Sequence, residues 1–298
     1  MSKISKILFF SLIILNLKNV MAEKMFFNPI LTKNNLERSE CEEKKGALWV
    51  NVDEKKSGCY FYYASFKEGK AAVIFIPGDV NPQITYPNLN PDVLIKSAFR
   101  TSQAINASFI YIARPGLMGS TGDFLKTYHT ETEIVEINAV LDELKVRFGI
   151  TKFALAAQSA GGLIATGILS RRSDIKCAVI ASGLLSIVDF TKSGKLTAAG
   201  VKREMKKSYD PILNIDKLKQ PVPPLYFLAD PQDSVVPIKG QRQYYDAIRS
   251  KGIDATWVEI NSADPEHHVL EARAIIGAGD CLADKSSGDI VNAVRKKR

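Results

Sequence analysis

Only three histidines occur in the 298 residues, at His129, His267 and His268, so any imidazole chemistry has few places to come from. The four cysteines contain no Cys-x-x-Cys pair, which leaves no support for a dithiol redox motif or a zinc knuckle. There is no His-Glu-x-x-His, no glycine-rich phosphate loop ending in Gly-Lys-Ser/Thr and no Gly-x-Gly-x-x-Gly fingerprint, so metalloprotease and nucleotide chemistry have no anchor here. Charge of one sign is also in short supply. The formal net charge of +8 is spread along the chain, and the terminal Lys296-Lys297-Arg298 reads as a solvated tail, so no nucleic-acid partner is implied. Internal repeats, heptads and low-complexity stretches are missing. The composition, 46% hydrophobic and 24% charged, is that of an ordinary globular protein.

The N-terminal apolar run, residues 7–15, is too short to span a bilayer as a helix. It follows Lys3 and Lys6 and precedes Val20-Met21-Ala22, the pattern of a cleaved signal peptide over 1–22, with an uncleaved anchor as the alternative. Cleavage would remove Lys3, Lys6 and Lys18, lower the net charge from +8 to +5, leave a single domain over 23–298 with no stable membrane anchor, and make the protein secreted or periplasmic. An even number of cysteines in an exported chain favours pairing. Cys41 and Cys59 flank one predicted strand and are expected to form a disulfide; Cys177, which opens a strand, and Cys281, which ends a helix read as the last one, are left open.

Two runs rich in aromatic and β-branched residues, 47–52 and 59–64, read as a hairpin. From residue 71 the pattern changes. Short, almost continuous apolar runs at 71–76, 108–113, 153–157, 177–181, 225–228 and 255–260 fit strands buried on both faces, and helical periodicity appears at 131–148, 161–172, 238–251 and 269–277. Strands alternating with helices predict an α/β architecture: a mostly parallel sheet of about eight strands with helices on both faces. The interval 184–224, with a helical stretch near 195–207, is longer than a crossover needs and reads either as a small cap or as an ordinary crossover with long loops. Its Leu184, Leu185, Ile187 and Phe190 are candidates for an acyl pocket or for core.

The chemistry concentrates in Phe153-Ala-Leu-Ala-Ala-Gln-Ser-Ala-Gly-Gly162, where a buried strand ends on a serine and small residues open a helix. A nucleophilic serine must be lifted clear of the sheet on a sharp turn, and the positions two before and two after it must be small. Here they are Ala157 and Gly161. Ser159 is the candidate nucleophile, and the amide of Ala160, in the first turn of a helix, the candidate oxyanion donor. The alternative role for Ser159 is an N-cap. A base is expected after the last strand, where His267 and His268 adjoin; both stay open, with His268 preferred, and His129 has no strand to place it. In Phe227-Leu-Ala-Asp-Pro-Gln-Asp-Ser-Val-Val-Pro237 the acid is expected at Asp233 rather than Asp230, which reads as a turn residue.

The order Ser159, Asp233, His268 is similar to that of the α/β-hydrolase superfamily, which the chain resembles from about residue 47 to 281. Ile76-Pro-Gly-Asp79 stands where the family has an oxyanion loop, with Pro77 in place of the usual histidine; the resemblance makes the amide of Asp79 the second oxyanion donor. Arg114-Pro-Gly-Leu-Met-Gly-Ser120 is similar to the family's Arg-x-Gly-x-Gly-x-Ser turn, Asp233-Ser-Val-Val-Pro237 to its Asp-x-x-Val-Pro loop, and His268-Val-Leu270 to monoglyceride-lipase-like members. Residues 210–218 resemble prolyl-oligopeptidase-like hydrolases. The resemblance implies a cofactor-free serine hydrolase acting on a small-molecule ester, with a short peptide substrate or an inactive binding protein as the alternatives.

Overall fold

The computed structural model describes Leu31 and residues 35–81 and 90–296; the expected signal segment lies outside them. Helix α1 (Arg38–Glu42) leads into a hairpin of strands β1 (Ala47–Asn51) and β2 (Ser57–Ser65). The alternation then begins: β3 (Ala71–Ile76), α2 (Pro91–Ile105), β4 (Ser108–Ile112), the short α3 (Phe124–Thr127), α4 (Glu131–Phe148), β5 (Lys152–Gln158), α5 (Ala160–Leu169) and β6 (Ile175–Ala181). Two helices, α6 (Ile187–Thr191) and α7 (Ala198–Lys207), and a 3-10 turn (Pro211–Lys217) fill the 184–224 interval. The chain continues through β7 (Leu225–Ala229), α8 (Ile238–Ser250), β8 (Ala255–Glu259), α9 (Glu271–Leu282) and α10 (Ser287–Arg295).

The eight strands form one sheet in the order β1-β2-β4-β3-β5-β6-β7-β8. The β1–β2 and β2–β4 pairs are antiparallel and all later pairs parallel. Alternate residues of β3 serve opposite faces. Ala72, Ile74 and Ile76 belong to the core cluster that includes residues of α4, α5 and α8, whereas Val73 and Phe75 belong to the one that includes residues of α2, α9 and α10. That two-sided burial is why the central strands are apolar throughout. The chain leaves β3 for β4 on one side and returns to β5 on the other. The carboxyl ends of β3 and β5 therefore border the crevice where an open α/β sheet places its ligands.

Helix α4 starts on Thr130, whose side chain accepts from Glu133 N at 3.4 Å, and stops at Gly149 in the left-handed region at φ 64°. Among the described helices of nine residues or more, two went unpredicted. The α2 helix has clear caps, with Asn90 accepting from Val93 N at 3.1 Å and Asn106 left-handed at φ 51°, but the exposed Val93, Ile95 and Phe99 blur its apolar stripe. Helix α10 follows Cys281, so the helix ending there is not the last. Both disulfides are present, Cys41–Cys59 and Cys177–Cys281, with Cα separations of 5.6 and 6.7 Å. Among the described residues no helix is long and apolar enough to cross a membrane.

Candidate functional site

Ser159 joins β5 to α5 at φ 58°, ψ −125°, a backbone region that non-glycine residues avoid at a cost of about 1–3 kcal/mol. The surroundings hold it there. Its N–H donates to Ala181 O at 2.9 Å, and its carbonyl accepts from Gly162 N and Leu184 N, each at 2.9 Å. Two close approaches require glycine. A Cβ on Gly161 would sit 2.1 Å from Ile76 O, and one on Gly78 would sit 2.8 Å from Ser159 Cβ. The helix start therefore packs directly on the end of β3, and Gly78 lies against the serine. Ala157, the other small residue of the turn, is fully buried in the core. Ala160 is the first residue of α5, so its N–H has no acceptor within the helix.

The β7–α8 loop carries both carboxylates and the β8–α9 loop both histidines, and the structure pairs them one to one. His268 Nδ1 is 2.9 Å and 3.1 Å from the two oxygens of Asp233, whose side chain is fully buried and also accepts from Val235 N and Val236 N at 2.8 and 2.9 Å. His267 Nδ1 is 2.9 Å from Asp230, which accepts as well from Gln232 N and Ser262 N. Burial opposes the charge on Asp230, but those two backbone donors and His267 outweigh it and hold the carboxyl below its usual range. Asp230 is thus more than a turn residue. The His267 side chain remains 33% exposed, against 12% for His268.

Two residues the sequence did not flag fix the histidine loop. Gln158, immediately before Ser159, donates from Nε2 to His268 O at 2.8 Å and accepts from Leu270 N at 3.1 Å. Its amide stands in for a strand partner and ties the loop to the end of β5. Asp264 accepts from the backbone N–H of His268 at 3.1 Å and of Val269 at 2.9 Å, and from the Ser262 hydroxyl. Burial works against its charge, but these donors prevail and lower its carboxyl to about 2.

Beside Gly78, the Asp79 side chain meets a buried charge cluster. Arg114 Nη1 donates to it at 2.9 Å, and Arg114 also grips Glu133 through Nε and Nη2 at 2.8 and 3.1 Å. The second oxygen of Asp79 is 2.7 Å from His129 Nε2, and His129 Nδ1 is 2.8 Å from Glu204 on α7. Burial disfavours charge on Asp79, yet His129 and Arg114 outweigh it and hold its carboxyl far below the ordinary range. Burial likewise opposes the charge on His129, but Asp79 and Glu204 prevail and raise it to about 9. A cavity of about 230 Å³ opens here, lined by Asp79, His129 and Glu204 on one side and by Val80, Phe124 and Phe190 among its apolar walls. Of the four apolar residues considered for a pocket, Leu184, Leu185 and Ile187 are core, and Phe190 alone faces this cavity. Asp210 caps α6, accepting from Ile187 N and Val188 N at 3.1 and 3.3 Å. Among the described residues no group of three or more His, Cys, Asp or Glu side chains could hold a metal ion.

No protein-family model matches the chain, and no curated protein matches it by sequence. Solved structures do resemble it. An esterase of Pyrococcus furiosus, Pf2001, superposes with a TM-score of 0.60 at 15% identity, covering 87% of this chain and 99% of that one. Est1E of Butyrivibrio proteoclasticus, in a structure with ferulic acid bound, gives 0.56 at 17% identity over 80% of this chain and 98% of that one. The acylaminoacyl peptidase of Pyrococcus horikoshii gives 0.56 at 13% identity over 84% of this chain, which spans only 43% of that protein. With the eight-stranded, mostly parallel sheet and its helices on both faces, these likenesses establish that the chain has the α/β-hydrolase fold.

Proposed function

We propose that the protein is a serine hydrolase that cleaves carboxylic esters, with Ser159 as nucleophile, His268 as general base and then general acid, and Asp233 as the acid that orients it. The observation that carries this reading is the placement of the His268–Asp233 pair. It sits on a loop whose backbone is hydrogen-bonded to Gln158, the residue directly before a serine held in a strained turn. A carboxylate on Nδ1 fixes the tautomer and leaves Nε2 to take the serine proton. His268 is preferred to His267 because its loop carbonyl is the one bound beside Ser159 and its imidazole is the better buried. Attack on the ester carbonyl forms the acyl-serine bond and a tetrahedral oxyanion, which the amides of Ala160 and Asp79 would receive. His268 passes the proton to the departing alcohol, and water then releases the acid by the same steps. No cofactor is required.

The 184–224 segment acts as a cap in this reading, and the two disulfides support a secreted or periplasmic location after loss of residues 1–22. The likeness to acylaminoacyl peptidase favours peptide cleavage as the second reading. A fluorophosphonate probe is expected to label the wild-type protein at Ser159. Ser159→Ala is expected to lose the label and to drop ester turnover by about 10³-fold or more while staying folded. Undiminished turnover in that variant would exclude the serine mechanism. A panel of p-nitrophenyl esters and aminoacyl p-nitroanilides then separates esterase from peptidase.

A further inference from the structure

His129 is buried at a point where four parts of the chain converge. Its ring lies between Asp79, two residues past the first residue after β3, and Glu204 on α7, with contacts of 2.7 and 2.8 Å. Its backbone N–H donates to Glu133 on α4 at 2.8 Å, and its carbonyl accepts from Tyr209 N at 2.8 Å. The adjacent Tyr128 places its ring edge-on at 4.7 Å and lies under the Arg203 guanidinium. Every charged neighbour is accounted for: Asp79, Glu133 and Glu204 are acidic, and Arg114 and Arg203 are basic, Arg203 pairing with Glu204. The Ser208 hydroxyl also donates to Glu204, at 2.6 Å.

A neutral imidazole has one N–H and one lone pair, so it could satisfy only one of two facing carboxylates and would repel the other. With a carboxylate on each ring nitrogen, the arrangement is complete only as an imidazolium. Its charge also balances the cluster, which holds three carboxylates against Arg114 and Arg203.

We propose that His129, as an imidazolium, is a positioning residue for the oxyanion side of the site, tying the Asp79 turn to helix α7 of the 184–224 segment. The inference rests on the serine-hydrolase reading, in which the Asp79 amide receives the oxyanion. Gly78 abuts Ser159, so a shift of Asp79 moves that amide relative to the serine. A carboxylate next to a developing oxyanion is unfavourable, and His129 with Arg114 offsets it. Misplacement of a reacting group by about 1 Å costs up to about 10²-fold in rate. The raised value of about 9 sets the pH window. Because the folded value lies above the ordinary 6.5, the stabilisation is complete below about 6.5, shrinks as pH rises and is gone above about 9.

The test is the pH dependence of kcat and KM on a short p-nitrophenyl ester for the wild type, Glu204→Gln and His129→Gln, with the rate of fluorophosphonate labelling as a readout free of substrate choice. The wild type is expected to lose kcat and labelling rate on the alkaline side with a midpoint near 9. Glu204→Gln keeps a hydrogen-bond acceptor but removes a charge, and is expected to move that midpoint down by about one pH unit. His129→Gln is expected to lower kcat about 10- to 100-fold at neutral pH, with KM within about twofold, and to have no midpoint near 9. An unmoved alkaline midpoint in Glu204→Gln overturns the proposal, as does wild-type kcat in a folded His129→Gln. Should His129→Gln fail to fold, the midpoint shift in Glu204→Gln decides alone. Ser159→Ala, run alongside, isolates the underlying reading, since turnover retained there defeats the hydrolase assignment itself.

Discussion

Gln158 shows how much one side chain can contribute to a site it does not chemically serve. Its neutral amide makes two backbone hydrogen bonds across about 110 residues of sequence, one on each side of Val269. A change to methionine keeps length and burial but removes both bonds. It is therefore expected to lower kcat by about tenfold with little change in KM, while thermal unfolding shifts by an amount corresponding to about 1–3 kcal/mol. Steady-state kinetics beside calorimetry checks this, and an unaltered kcat would reduce Gln158 to a packing residue. Gly78 is governed by space rather than bonding. Its substitution by alanine drives a methyl group into Ser159 Cβ, and the expected result is loss of turnover and labelling in a protein that still folds. From sequence, Ser159, Asp233 and His268 stood out as candidates because strand ends, turn chemistry and order are local signals. Gln158 carried no such signal, since a glutamine before the serine looks like any other polar residue until the loop it binds is in place.

The loop between β8 and α9 behaves as a unit organised by Asp264. That carboxylate collects the N–H groups of His268 and Val269 and the Ser262 hydroxyl, so the histidine is presented by hydrogen bonds rather than by a strand or a helix. Its folded value, lowered to about 2, means that its contribution is present above the ordinary carboxylate value of 3.8 and is lost as pH falls through about 2. Asp264→Ala is expected to abolish this acid dependence of the loop, cost about 1–3 kcal/mol, and reduce kcat about 10- to 100-fold. Histidine NMR signals followed against pH would show the His268 ring losing its fixed environment in the variant; identical signals in both proteins would contradict the assignment. Helices follow a similar logic. Helix α4 was readable because its apolar residues recur on one face between Thr130 and Gly149, whereas α2 exposes Val93, Ile95 and Phe99 and so showed no clean stripe despite its Asn90 and Asn106 caps.

Across the molecule, two disulfides bind distant parts of the chain. Cys41–Cys59 closes a short loop of separation 18, while Cys177–Cys281 ties β6 to α9 across a separation of 104 and so staples the strand after the serine helix to the helix after the histidine loop. On chain-entropy grounds, removing the first is expected to cost about 3 kcal/mol and the second about 4–5 kcal/mol. Denaturant titrations of Cys41→Ser/Cys59→Ser and Cys177→Ser/Cys281→Ser test the ranking, and a larger loss from the short loop would reverse it. The buried Arg114 is the other long-range anchor; its replacement by methionine strands Asp79 and Glu133 and is expected to cost about 3–5 kcal/mol. By itself the sequence determined the mostly parallel α/β architecture, the turn at Ser159 and the chain order of the candidates Ser159, Asp233 and His268, because burial periodicity and tight turns are set by neighbours a few residues apart. It did not determine the strand order, the pairing of His267 with Asp230, or the place of His129, which reaches Asp79 across 50 residues and Glu204 across 75. Those contacts exist only once the strand order reverses at β3, with β4 on one side and β5 on the other, which brings separate loops to one edge where side-chain direction, rather than local pattern, selects the partners.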